Sequence, residues 1–172
     1  PYANQEEAIS QILTSFSAYA DPSHRLLVKL HPLDNGLIDW QAYIAAEARR
    51  LGITARTHVI DGGNLDDMIG RSRGLVTVNS TTAITALRKS KPIKTLGAAV
   101  FGAPGLSYPG PLDAFWRDPT KADGALTSAF FRLLAHEYQV RGNFYSAAGS
   151  SAAAQAIADR LDGAGKRRDR PA

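Results

Sequence analysis

Residues 75–96 read LVTVNSTTAITALRKSKPIKTL, and this stretch decides the fold. Leu75-Val76-Thr77-Val78 is a short apolar, β-branched run, the composition of a buried strand. Asn79 or Ser80 then supplies the N-cap of a helix over residues 80–90. Lys91-Pro92 breaks that helix, and residues 93–96 start another strand. A strand, a helix and a strand joined this tightly make a βαβ unit, whose two strands run parallel with a right-handed crossover.

The same alternation extends upstream. Residues 57–60 read as a strand, Asp61-Gly62-Gly63-Asn64 as a turn, and residues 65–71 as a short helix with Asp66 and Asp67 in its first turn, where the helix dipole favours them. Residues 25–30 (RLLVKL) are nearly continuously apolar, as expected of a strand covered on both faces. His31-Pro32-Leu33-Asp34-Asn35-Gly36 is a loop. Residues 39–51 form a helix with Trp40, Tyr43, Ile44 and Ala48 on one side, closed by Gly52. Residues 6–19 place Ala8, Ile9, Ile12, Leu13 and Phe16 on one helical stripe, ended by Asp21-Pro22-Ser23. The expected fold is therefore α/β: a Rossmann-like parallel sheet with helices on both faces.

Beyond Leu96 the pattern changes. Residues 97–111 hold four Gly and three Pro, and read as a long irregular loop. Residues 112–116, 124–138 and 151–161 read as helices. The Ala/Ser-rich stretch 146–158 reads either as a helix with a weak apolar face or as a poorly ordered segment. The expected organisation is a Rossmann-like domain with C-terminal helices over residues 1–146, then a C-terminal helix and basic tail over 147–172.

Composition narrows the class. At 172 residues, 44% hydrophobic and 21% charged, the chain suits one domain with its own core and is not a wholly disordered sequence. No apolar run approaches the length of a membrane span. The absence of Cys excludes disulfides, thiolate metal sites and Cys nucleophiles, and fits a reducing compartment. Residues 1–7 lack the basic and apolar regions of a signal peptide, and the missing Met suggests a processed or truncated chain. The net charge of +4 owes +3 to Lys166-Arg167-Arg168-Asp169-Arg170. That tail reads as a solvated terminus or as a weak contact to an anionic membrane surface, at about 1 kcal/mol per basic residue. No stretch interleaves basic with aromatic residues, so no nucleic-acid partner is expected.

In open parallel α/β sheets, ligands bind beyond the carboxyl ends of the strands. Strand order alone puts Lys29-Leu30-His31-Pro32, Asp61-Gly62-Gly63-Asn64, Asn79-Ser80-Thr81-Thr82 and the loop from Gly97 at that edge. Asn79-Ser80-Thr81-Thr82 carries three consecutive hydroxyls into a helix N-terminus, where free N–H groups and the dipole suit a phosphate. Simple N-capping accounts for one hydroxyl, and both readings stand. His31 can donate to a phosphate oxygen or, protonated, neutralise its charge, with Pro32 stiffening its placement; a structural histidine is the alternative. Gly62 and Gly63 either let the backbone approach a flat ligand or simply make a tight turn. His24, His58 and His136 read as structural, and the four His have no metal-ligand spacing, so no metal or other cofactor is expected. Asp34, Asp39, Asp61, Asp66 and Asp67 read as turn and cap residues, which leaves the catalytic carboxylate unassigned. There is no G-x-G-x-x-G, P-loop or G-x-S-x-G pattern, which argues against dinucleotide binding, P-loop hydrolysis and a nucleophile-elbow esterase.

Several of these segments resemble motifs of the capsule polysaccharide biosynthesis/export family, that of the KpsS/LipB and KpsC type proteins. They are Val28-Lys29-Leu30-His31-Pro32-Leu33-Asp34, Val76-Thr77-Val78-Asn79-Ser80-Thr81-Thr82, Lys91-Pro92-Ile93-Lys94-Thr95-Leu96-Gly97, Pro104-Gly105-Leu106, Phe115-Trp116 and Gly142-Asn143-Phe144-Tyr145. The resemblance covers about residues 2–146. It implies the C-terminal, donor-binding half of a GT-B glycosyltransferase that moves Kdo from CMP-Kdo to a lipid or Kdo-lipid acceptor. It further implies that His31, Pro32, Ser80, Thr81 and Thr82 hold the CMP phosphate and ribose. The other half would bind the lipid-linked saccharide acceptor and supply the catalytic carboxylate, so this portion is expected to be inactive alone. The resemblance also implies a further strand ahead of residue 1, belonging to the same sheet. The expected location is cytoplasmic, peripheral on the inner membrane, with a capsule-export complex as a possible partner. Two alternatives are a non-catalytic capsule-export module and a UDP-sugar epimerase-like GT-B domain.

Overall fold

In the computed structural model, residues 2, 4–31, 34 and 36–168 are described, without the side chains of residues 163–168. Helix α1 (Gln5–Tyr19) starts where the Asn4 side chain accepts the Glu7 N–H at 2.9 Å, with Glu6 and Glu7 in the first turn. It leads to β1 (Leu26–Lys29), α2 (Trp40–Arg50), β2 (Thr57–Ile60), α3 (Leu65–Arg71), β3 (Leu75–Thr77), α4 (Thr82–Arg88) and β4 (Ile93–Thr95). β1 pairs with β2 and β3 with β4, both in parallel, with Lys29 opposite Ile60 and Thr77 opposite Thr95. The expected βαβ alternation is present, with element ends moved by one or two residues.

α1 and α2 pack on one face of the first pair. Leu13, Phe16, Trp40, Ile44 and Ala48 form the centre of the core, with Leu26, Val28 and Val59 packed against it from the strands. Phe16 meets Trp116 edge to face at 5.3 Å, and the Arg56 guanidinium sits 4.7 Å from the Phe16 ring centroid. Trp116 follows α5 (Leu112–Phe115). The buried Ser15 hydroxyl donates to Asp113 at 2.5 Å and accepts the Trp116 indole N–H at 2.8 Å, fastening α5 to α1.

A second tie joins α1 to α2. The Ser10 hydroxyl donates to Glu47 at 3.1 Å, and Arg50 donates to both Glu47 oxygens. The Arg50 hydrogen bonds pull the Glu47 carboxyl below its usual range, partial burial opposes this, and Ser10 adds to the lowering. A carboxyl with a lowered folded-state pKa stabilises above its unfolded value, about 4.3, and loses that contribution as pH falls through the folded value. Glu47→Gln is thus expected to make urea stability less steep with acidification below about pH 4.3.

Two expectations are corrected. The strands are not covered on both faces: among the described residues Ile93 is the one buried strand residue, and Leu27 remains 47% exposed. Leu26 and Val28 meet the helices, while the alternate side of β1 has no comparable apolar cover among the described residues. Nor is there one continuous sheet. Among the described residues the four strands form two separate two-stranded sheets. Leu30 donates to Ile60 and Leu75 to Pro92, so by strand alternation the Leu27, Lys29 and Val76 amides face the edges left unpaired. In hydrogen exchange of this chain, the Leu27, Lys29 and Val76 amides are expected to exchange much faster than those of Leu30, Leu75 and Leu96. Equal protection of both sets would contradict two separate sheets.

The loop at 97–111 is irregular, as expected, but it is anchored. The Lys94 ammonium donates to the Gly110 carbonyl at 2.6 Å and lies 5.9 Å from the Tyr108 ring centroid. The buried Ser107 hydroxyl accepts the Thr95 N–H, and Tyr108 N–H donates to the Ile93 carbonyl at 2.8 Å. These bonds occupy much of the outer edge of β4. Burial pushes the Lys94 pKa below the usual lysine range.

The chain divides into two compact units, Pro1–Thr127 and Ser128–Ala172. The division falls within α6 (Gly124–Leu133), which a π-helical turn, Leu134–Tyr138, follows. In the second unit, the Arg160 guanidinium donates to the carbonyls of His136, Glu137 and Gln139, closing the end of that turn. The Ala/Ser-rich stretch is helical, within α7 (Ala147–Arg168). Gly142 has φ +124°, and a Cβ there would collide with the Gly149 carbonyl oxygen and the Ala153 N–H. Among the described residues, no helix is long and apolar enough to cross a membrane.

Candidate functional site

The carboxyl ends of the strands carry the expected residues in two groups. Leu30 N–H donates to the Ile60 carbonyl, so His31 and Asp61-Gly62-Gly63 leave β1 and β2 side by side. Leu96 donates to Thr77 and Gly97 to Val78, each at 2.9 Å, so Asn79 and the Gly97 loop leave β3 and β4 side by side. A Cβ on Gly97 would come within 2.8 Å of Val78 Cγ1 and 3.1 Å of the Val78 carbonyl oxygen. A side chain at 97 would have to push Val78 back, so glycine favours this close approach of the two loops. Hydrogen bonds join loops within each group; the described residues show none between the groups.

Asn79-Ser80-Thr81-Thr82 is organised by its own hydroxyls. Thr77 Oγ1 accepts the Ser80 N–H at 3.0 Å. Ser80 Oγ donates to Thr82 Oγ1 at 2.9 Å and accepts the Thr82 N–H at 3.3 Å. The helix begins at Thr82 with Thr81 at the cap position, two residues later than the sequence suggests. Ser80 therefore does the capping from one residue further back, because its hydroxyl reaches the first helical N–H. The Thr81 side chain makes no cap bond. Asn79, Ser80 and Thr81 are all exposed, so the turn is built internally and open outward. The residue that sequence reasoning missed is Thr77: a threonine closing a strand three residues before the turn serine is its only signal.

Gly62 and Gly63 have φ of +92° and +80°, a consecutive pair that the turn itself demands. A Cβ on Gly62 would meet nothing within 4 Å, leaving open space above the backbone. His31 is exposed, and its carbonyl accepts the Asp34 N–H at 3.0 Å. Pro32 lies outside the described residues. The carboxylates do structural work: Asp34 accepts the Trp40 indole N–H at 3.0 Å, Asp39 caps α2 through Ala42, and Asp66 bridges to Lys89. His136 pairs with Glu137 at 2.8 Å. Among the described residues, no three His, Cys, Asp or Glu side chains converge as a metal site.

Parallel βαβ units with a polar, solvent-open carboxyl edge define an α/β protein. The particular family follows from comparison: residues 1–145 match the capsule polysaccharide biosynthesis protein family, and the chain belongs to it. It is 30% identical over 144 residues to the capsule polysaccharide export protein KpsS of Escherichia coli, covering 84% of this chain and 37% of that protein. It is 31% identical over 139 residues to the capsule polysaccharide modification protein LipB of Neisseria meningitidis serogroup A, covering 78% of this chain and 32% of that one. The chain thus spans about a third of the length of these relatives. No solved structure matches it. Over most of its own length the chain is therefore related to KpsS and LipB.

Proposed function

We propose that this chain is the donor-binding half of a GT-B glycosyltransferase that moves Kdo from CMP-Kdo to a lipid-linked acceptor in capsule assembly. The observation that carries this reading is the self-bonded turn Thr77–Ser80–Thr82 at the carboxyl end of β3. It presents Asn79 and the Thr81 hydroxyl outward beside the Gly97 loop. These bonds fix the backbone of the turn, so that a hydroxyl beside it, such as that of Thr81, is suited to a phosphate oxygen. His31 on the neighbouring pair would neutralise the phosphate charge as CMP departs, and Gly62-Gly63 leaves room for the base.

The unpaired edges bear on the same reading. α1 and α2 lie on one face of β1 and β2. With right-handed crossovers, a strand feeding α1 falls on the side of β1 away from β2. A strand there would pair with the free edge of β1 and, on its other side, that of β3, giving the order β2-β1-strand-β3-β4. The switch point would then lie beside Asn79-Ser80-Thr81-Thr82, where ligands of such sheets bind. The acceptor and the catalytic carboxylate belong to the remainder of such a transferase.

The test is amide chemical-shift mapping with CMP-Kdo. Shifts centred on His31, Gly62, Gly63 and residues 79–82 are expected. Shifts confined to residues 128–168, or none at saturating donor, would contradict the site. A second reading, a non-catalytic export module, is favoured by the export role in the name of the Escherichia coli relative. It requires no nucleotide response.

A further inference from the structure

At the opposite edge of the second sheet, a cleft of about 440 Å³ opens where β3 and β4 begin. Among the described residues, Arg73, Lys89, Lys91, Arg117 and Lys121 line it, with Asp118 as the one carboxylate. Even counting Asp66, which pairs with Lys89 at 2.5 Å, five positive charges face two negative ones. Lys91 donates to the Ser72 carbonyl at 2.8 Å, and Arg117 to the Tyr19 carbonyl at 3.1 Å. Arg117 also lies 5.8 Å from the Tyr19 ring centroid, and neither side chain makes an ion pair among the described residues. Arg73 and Lys121 are exposed and make no hydrogen bond or ion pair among the described residues. Lys89 and Lys91 flank Ser90, whose φ of +52° turns the chain between α4 and β4.

We propose that this cleft binds a phosphate group carrying two or more negative charges, at a site separate from the carboxyl edge. Like charges gathered around one concavity repel each other and raise the local concentration of anions. Guanidinium and ammonium groups lining one cleft match phosphate oxygens, and a phosphate can bring a second charge where a carboxylate brings one. The volume is that of a small-ligand site. The phosphate belongs either to a soluble molecule or to a lipid whose headgroup is a phosphomonoester.

Inorganic pyrophosphate titrated calorimetrically, and sedimentation with phosphatidylcholine vesicles with or without phosphatidic acid, separate the two sources. Each is run on the full chain, on Arg73→Glu/Lys121→Glu, and on a tail variant with Lys166, Arg167, Arg168 and Arg170 changed to Gln. Arg73→Gln/Lys121→Gln, with circular dichroism on every variant, guards against a misfolded double mutant. Binding of either probe that falls at least about tenfold in both cleft variants, weakens with salt and survives in the tail variant supports the site. The probe that binds identifies the source. Binding unchanged in the cleft variants, binding abolished by the tail variant, or no binding of either probe overturns it.

Discussion

Phe16→Ala is expected to lower the unfolding free energy by about 3–5 kcal/mol, the range for removing a buried aromatic side chain. Phe16 is only 2% exposed and stands at the crossing of three packing relations. It fills the core between α1 and α2, it meets Trp116 edge to face, and it carries the Arg56 guanidinium over its ring. Truncation opens a cavity and removes both ring contacts together. Because domains of this size are stable by about 5–15 kcal/mol, much of the margin would go. Urea unfolding followed by tryptophan fluorescence measures it, since Trp116 reports on the same contact. A loss under about 1 kcal/mol would mean that the α1–α5 junction is not part of the cooperative core.

Thr81→Val separates binding from folding. Thr81 is exposed and its side chain makes no cap bond, so the isosteric change is expected to alter stability by no more than about 0.5 kcal/mol. If the hydroxyl meets the donor phosphate, CMP affinity falls about tenfold, or about 1.4 kcal/mol. Thr77→Val provides the contrast: it removes the acceptor of the Ser80 N–H and is expected to cost about 1 kcal/mol of stability. Calorimetry and urea unfolding on both variants give the comparison. A Thr81 variant that loses stability but not affinity would return the hydroxyl to a purely structural role.

Much of the fold was legible because its elements are short and sharply punctuated. Asp21-Pro22-Ser23, Gly52, Gly62-Gly63 and Lys91-Pro92 each end an element where the pattern of apolar residues also ends. Covering of the strands was not legible. A run such as RLLVKL reads as buried on both faces, yet whether a second layer exists depends on partners elsewhere, and Leu27 is half exposed. Strand neighbours were equally hidden, because alternation fixes parallel direction but not which edges meet. Of the candidate site, the sequence located the loops through strand order alone. It missed Thr77 because a strand threonine is ordinary until its hydroxyl is seen to take a turn N–H. The basic cleft was invisible because its cations come from segments separated along the chain, brought together where β3, β4 and the segment after α5 meet.

The most direct test of nucleotide binding at the carboxyl edge is calorimetric titration of this chain with CMP. UMP serves as the ligand control and His31→Ala as the site control. The expected result is CMP binding at least about tenfold tighter than UMP and lost in His31→Ala. UMP binding as tight as CMP, CMP binding unchanged by His31→Ala, or no binding of either nucleotide would contradict it.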